Sequence, residues 1–302
     1  MNFSEYTLIS FGDSFTFGQD IVPIYKHQPH GSPKQWKKDC NLNSYTQVIA
    51  DRMGFKDCLN FGVLAGSNER SFTLVESFLR TNPDKKVFVL FNFTSASRFM
   101  NIFKVDNKRQ YDIVDVTPTT TNNVKAREWI REEKYTSINE KSIIKHYTYW
   151  RNSVQDVYSH IKDRRNLYYL LSSHNTPHVT FDVLNNTDFL MLRDNPLEYI
   201  LSNDGFGVDF MYKDDADYVL KEMDFFKSYY NEILTNTPLL CHMGIDELDG
   251  QKNVFEYLNS KAKFELEDEN YYSAIEGGHW NIEGHRDVGE LIGDFIKKKY
   301  EN

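Results

Sequence analysis

The sequence predicts an α/β fold in which helices cross over between the strands of a parallel sheet. Three observations predict it. Short apolar runs alternate with segments whose apolar residues recur at helical spacing through the first hundred residues. The runs end in turns rich in glycine or polar residues. The composition, 40% hydrophobic and 26% charged, is that of an ordinary globular chain. Strand, helix, strand, helix, strand is the order that a parallel sheet requires, because parallel neighbours need a crossover between them.

The elements follow in order. Tyr6 to Phe11 is a β-branched, apolar run that stops at Gly12, a buried strand entering a turn. Tyr45, Val48, Ile49 and Met53 fall on one helical face, and Gly54 ends it. Cys58 to Phe61 is a second strand, running into the loop Gly62-Val-Leu-Ala-Gly66. Ser67 and Asn68 cap a helix with Phe72, Val75 and Leu79 on its buried face. Val87 to Phe91 is the third strand. Residues 106–125, polar and rich in Thr and Asn, read as a loop or small excursion. Ile143, Ile144, Tyr147, Val154, Val157, Tyr158 and Ile161 mark a long amphipathic helix leading to a fourth strand at Leu167 to Leu171. Residues 175–262 look helical and irregular, an expected inserted cap within one domain spanning 1–302. Val288, Leu291, Ile292, Phe295 and Ile296 define a last helix, with Lys297 to Lys299 suiting the negative end of its dipole.

Charge and cysteine content narrow the function classes. Lys and Arg total 35 against 44 Asp and Glu, a formal charge of −9, which does not favour nonspecific binding to nucleic acid or an anionic membrane. Met1 to Phe11 carries an acidic residue where a secretory leader wants basic ones, and no apolar run approaches a bilayer span. Cys40, Cys58 and Cys241 are odd in number and scattered, which signals neither a disulfide framework nor a cysteine-rich zinc site. A soluble, cytoplasmic protein is expected, with no metal or organic cofactor and an undefined oligomeric state.

Two segments carry chemistry. The first strand runs into Phe11-Gly12-Asp13-Ser14-Phe15-Thr16-Phe17-Gly18. A serine just past the carboxyl end of a parallel strand stands where open α/β sheets bind ligands. Taken alone, the turn reads equally as a nucleophile or as a helix cap. Near the other end, Glu276-Gly-Gly-His279-Trp-Asn-Ile-Glu-Gly284-His285 sets a carboxylate three residues before a histidine, ahead of the last helix. An alcohol becomes a useful nucleophile when a base takes its proton, and the base works best when a carboxylate fixes its tautomer. Ser14, His279 and Glu276 supply those three parts.

Gly12-Asp13-Ser14 with Thr16 and Gly18 resembles the first block of the SGNH/GDSL hydrolases. Glu276-x-x-His279 with Asn281 and Gly284-His285 resembles the last block, and Asn60 to Asn68 is similar to the second. The resemblance covers the first hundred residues and the last thirty. It implies a three-layer α/β/α fold with a five-stranded, mainly parallel, flavodoxin-like sheet and an inserted helical region. It also implies backbone N–H donors at Ser14 and Gly66 facing the oxyanion. The family's third block, Gly-x-Asn-Asp, is replaced here by Asn92-Phe-Thr94-Ser-Ala-Ser-Arg98, a form similar to a divergent subgroup associated with bacteriophage and bacterial genomes. Strand-end alignment sets Thr94 at the family's Asn position, with Asn92 on the same strand face. Either is expected to complete the oxyanion hole. Glu276 stands where the family has Asp.

The resemblance implies a serine esterase acting on an acetyl or short-acyl ester of a carbohydrate or similar small molecule. Two alternatives stay open: a binding or structural protein that keeps the fold without turnover, and acyl transfer through the same residues. Asp13 is expected to brace the turn. Trp280 either walls the substrate groove or packs its turn, with the groove preferred. His174 reads as a polar loop residue, and Cys241 with His242 as buried structure. His27 and His30 lack the spacing and carboxylate partners of a zinc site.

Overall fold

A computed structural model describes residues 1–19, 21, 33–64, 66–94, 99–105, 110–116, 153–183, 241–251, 253–266, 268, 271–272 and 279–301. In chain order its elements are β1 (Thr7–Phe11), α1 (Ser14–Phe17), α2 (Pro33–Asn43), α3 (Tyr45–Met53), β2 (Asp57–Asn60), α4 (Asn68–Thr81) and β3 (Val87–Phe93). There follow β4 (Phe99–Val105), β5 (Gln110–Val116), α5 (Ser153–Ser173), β6 (His178–Asp182), β7 (His242–Met243), α6 (Val254–Phe264) and α7 (Ile282–Tyr300).

Five strands form one sheet in the order β2-β1-β3-β6-β7, and every neighbouring pair is parallel. This is the flavodoxin-like order expected, and its direction of winding reverses at β1, between β2 and β3. Side-chain alternation divides the sheet's two faces. Leu8, Phe88, Leu90, Val179 and Phe181 pack with Tyr45, Ile49, Leu258, Val288 and Ile292 of α3, α6 and α7. Ile9, Phe11, Val89, Phe91 and Phe93 pack with Val75 and Leu79 of α4 and with Leu167 and Leu171 of α5. Helices therefore cover both faces, as a buried parallel sheet requires.

Two expectations are corrected. The run Leu167 to Leu171 is the end of α5 and not a strand. A short apolar run does not distinguish a buried strand from a buried helix by periodicity alone. Here Arg164, Leu167 and Leu171 are all buried at spacings of three and four, one face of a helix. The helix ends at Ser173, a turn follows with Asn175 at φ 48° and Pro177 two residues on, and the strand is His178–Asp182. Within 106–125, Gln110–Val116 is a strand paired antiparallel with Phe99–Val105, so the small excursion is a β-hairpin. The range 175–262 contributes β6 and β7 to the sheet and α6 to the core. Residues 184–240 of that range lie outside the described residues, as do Ile143, Ile144 and Tyr147.

Candidate active site

The turn that carries Ser14 is built at the carboxyl end of β1. Gly12 lies so close to its neighbours that a Cβ there would overlap the Thr16 hydroxyl and sit 2.8 Å from the Asn92 Cβ. Only glycine lets β1 and β3 approach at that point. Asp13 caps the single turn that follows, its carboxylate accepting the Phe15 N–H at 3.0 Å and its carbonyl the Phe17 N–H at 3.0 Å. Gly18, at φ 81°, ends the turn. Ser14 is thereby held at the first position of α1, where a helix N–H has no acceptor within the helix.

His279 arrives from the other end of the chain. Asn281 caps α7 by accepting the Gly284 N–H at 2.9 Å, and its own N–H donates to the Tyr272 carbonyl at 2.8 Å. This fixes the segment two residues upstream. The His279 Nε2 lies 2.9 Å from the Ser14 Oγ, and its ring packs 4.9 Å from the Phe15 ring. Ser14 is 3% exposed. Glu276 lies outside the described residues, as do His27 and His30.

His285 ties α7 to α3. Its Nδ1 accepts the N–H of Tyr45, the first of α3, at 3.3 Å, so the ring hydrogen resides on Nε2. The ring stacks on Tyr45 at 5.8 Å. Burial, helped by the charge of His279, pushes the His285 pKa down from 6.5 to about 3. The folded value lies below the unfolded one, so below about pH 6.5 the unfolded chain binds a proton that the native chain refuses. Stability falls as pH drops through that window, by up to about 1.4 kcal/mol per pH unit from this residue. Urea unfolding between pH 6 and pH 4 is expected to show a shallower loss in His285→Gln than in the wild type; equal slopes would remove His285 from the account.

The remaining anticipated residues divide. Thr94 and Asn92 reach the site but turn to Asp13: the Thr94 hydroxyl donates to Oδ2 at 2.6 Å and the Asn92 amide to Oδ1 at 3.1 Å. Gly66 closes a turn, its N–H donating to the Val63 carbonyl at 2.9 Å, while the Val63 N–H donates to the Gly12 carbonyl at 3.0 Å. Trp280 is 2% exposed, with Phe15 at 4.6 Å and His285 at 5.6 Å. Its ring packs the turn inside the core, the less favoured of the two options read from the sequence. His174 follows α5 at the amino-terminal edge of β6, the edge opposite Ser14. His242 is a β7 residue paired with the Thr180 hydroxyl at 2.9 Å, and burial holds its pKa well below 6.5. Burial raises the Cys58 thiol to about 12 and the Cys241 thiol to about 11, which keeps both protonated at neutral pH.

Four polar residues matter to the site although the sequence assigned none of them a role there; three were seen as members of the resembling blocks. Asn68 clamps the Thr94 backbone, accepting its N–H at 2.8 Å and donating to its carbonyl at 3.0 Å. Asn60 donates to the Thr16 carbonyl at 2.5 Å and accepts the Gly62 N–H at 2.8 Å. The Thr16 hydroxyl pairs with the Tyr45 hydroxyl at 2.6 Å. Asn60, Thr16 and Asn68 were in view as motif members; polar residues at strand ends and first helical turns are the signal that would have singled them out. Tyr45 carries no such signal, since its spacing reads as core.

The chain is thus an α/β protein with an open parallel sheet, and an alcohol and an imidazole are in contact at its switch point, where such sheets bind ligands. No family model matches the chain, and no curated protein matches it. Among solved structures it is similar to a member of the lipolytic protein G-D-S-L family from Veillonella parvula DSM 2008, at 12% identity and TM-score 0.41, over 98% of this chain and 99% of the other. It is also similar to a G-D-S-L family protein from Desulfitobacterium hafniense DCB-2, at 8% identity and TM-score 0.39, over 96% and 98% of the two chains. A third, the lipase/acylhydrolase from Enterococcus faecalis, shares 10% identity at TM-score 0.37 over 97% and 96%. No helix among the described residues is long and apolar enough to cross a membrane.

Proposed function

We propose that the chain is a serine ester hydrolase of SGNH/GDSL type, working through an acyl-enzyme. The observation that carries this reading is the 2.9 Å contact between His279 Nε2 and Ser14 Oγ, made by residues 265 positions apart at the edge where such sheets bind ligands. In the reaction, Ser14 Oγ attacks the ester carbonyl while His279 Nε2 takes its proton. The tetrahedral intermediate collapses, its C–O bond breaks, and His279 returns the proton to the leaving alcohol. Water, deprotonated by the same imidazole, then releases the acid and restores Ser14. Glu276 fixes the tautomer of His279. The Ser14 N–H and the Gly66 N–H are the donors assigned to the developing oxyanion. No step calls for a metal or an organic cofactor. The substrate is an acetyl or short-acyl ester of a carbohydrate or a similar small molecule.

A fluorophosphonate probe tests the nucleophile, because it phosphonylates a serine activated by a neighbouring base. Wild-type protein is expected to become labelled and Ser14→Ala to stay unlabelled. Wild-type protein that resists the probe, or label that persists in the variant, would overturn the assignment of Ser14.

A further inference from the structure

We infer that Thr94 and Asn92 are positioning residues that act on the reaction through Asp13, and that neither donates to the oxyanion. The inference rests on the hydrolase reading and assigns a different part of the site. Thr94 has one hydroxyl hydrogen, and it points to Asp13 Oδ2 at 2.6 Å. Asn92 has two amide hydrogens, one on Asp13 Oδ1 and one on the Thr16 hydroxyl, each at 3.1 Å. All four side chains are essentially buried: Asp13 and Thr16 are 0% exposed, Asn92 and Thr94 1%. The Asn92 Oδ1 has no hydrogen-bond partner among the described residues. Turning the amide over would press that oxygen against the Asp13 carboxylate, so the charge of Asp13 sets the amide's orientation.

Geometry forces a choice on these hydrogens. If Thr94 or Asn92 swung to an oxyanion, a buried carboxylate would lose a charge-assisted donor at the moment of reaction. Asp13 in turn holds the Phe15 N–H and so fixes the turn that presents Ser14 to His279. Asn68 secures the other end by gripping the Thr94 backbone on both sides. Residues 92 and 94 of the altered third block thus serve as a clamp on the nucleophile turn. Misplacement of a reacting group by an ångström costs on the order of a hundredfold in rate.

A double-mutant cycle on ester hydrolysis decides between clamp and oxyanion donor, with kcat counted per fluorophosphonate-titrated site. Thr94→Val is expected to lower kcat by about tenfold to a hundredfold, with KM changing less than about threefold. Thr94→Ser, which keeps the hydroxyl, recovers most of that loss. In an Asp13→Asn background, Thr94→Val adds less than about threefold, because the group it acts through is already altered. If Asp13→Asn does not fold, Asp13→Ser keeps a capping oxygen and takes its place. Losses that multiply in the double variant would make Thr94 an independent donor and overturn the inference, as would a Thr94→Val effect confined to KM or to the titrated fraction. An active wild type with multiplicative losses refutes the clamp alone. A wild type that is neither labelled nor active refutes the hydrolase reading, and the clamp's catalytic role with it.

Discussion

Replacing His279 with alanine is expected to reduce hydrolysis of p-nitrophenyl acetate by on the order of 10²–10⁴-fold, the usual contribution of a positioned general base, while leaving the unfolding midpoint nearly unchanged. The size of the effect follows from what the imidazole does. At neutral pH a serine alcohol is almost wholly protonated, and the only described base within hydrogen-bond reach of Ser14 Oγ is His279, at 2.9 Å. Without it the proton must go to water, and the departing alkoxide loses its acid. The fold is expected to survive, because the core around α7 is formed by Trp280, Val288, Ile292, Phe295 and Ile296, and His279 is only partly buried, against the Phe15 ring at the edge of that core. Rates measured for wild type and variant, with thermal or urea unfolding of both, give the check. Equal rates at background level would leave the non-catalytic binding protein as the better account. A lost rate accompanied by a collapsed midpoint would make His279 a structural residue.

The parts of this arrangement legible in the sequence were those set by local chemistry. Gly12-Asp13-Ser14 after an apolar run, and a histidine two residues before the cap at Asn281, identify a turn and a helix start by residue type alone. The two-residue repeat of a strand put Asn92 and Thr94 on one face. Long-range pairing was not legible. Whether the Thr94 hydroxyl meets an oxyanion or a carboxylate depends on the distance between two strand ends, and Gly12 sets that distance by admitting no Cβ. The identity of the fourth strand failed for a related reason. Leu167-Tyr-Tyr-Leu-Leu171 has the composition of a strand, and what makes it helical is tertiary: Leu167 and Leu171 pack on the sheet face that also receives Val75 and Leu79. Arg164 gave no sign from sequence that it is buried, since arginine is seldom found inside a fold without a partner.

That arginine supports the prediction with the largest expected effect on stability. Asp182→Ala is expected to destabilise the protein by about 3–5 kcal/mol, the cost of removing one member of a buried ion pair. The side chains of Arg164 and Asp182 are 5% and 6% exposed, and the arginine Nη2 lies 2.5 and 2.6 Å from the two carboxylate oxygens. The guanidinium also sits 4.0 Å over the ring of Phe93, the residue paired with Asp182 in the β3–β6 register. The pair therefore joins α5 to the carboxyl ends of two central strands, one residue short of Thr94. Urea unfolding at neutral pH checks the value, and a loss below about 1 kcal/mol would show that solvent or another group takes over the guanidinium. The double variant Arg164→Met, Asp182→Leu separates attraction from desolvation. With neither charge left to bury, it is expected to regain most of the stability that Asp182→Ala loses, because the mutual attraction of a buried pair does little more than offset the cost of taking both ions out of water. A double variant as unstable as the single one would mean instead that the ion pair itself holds α5 against the sheet.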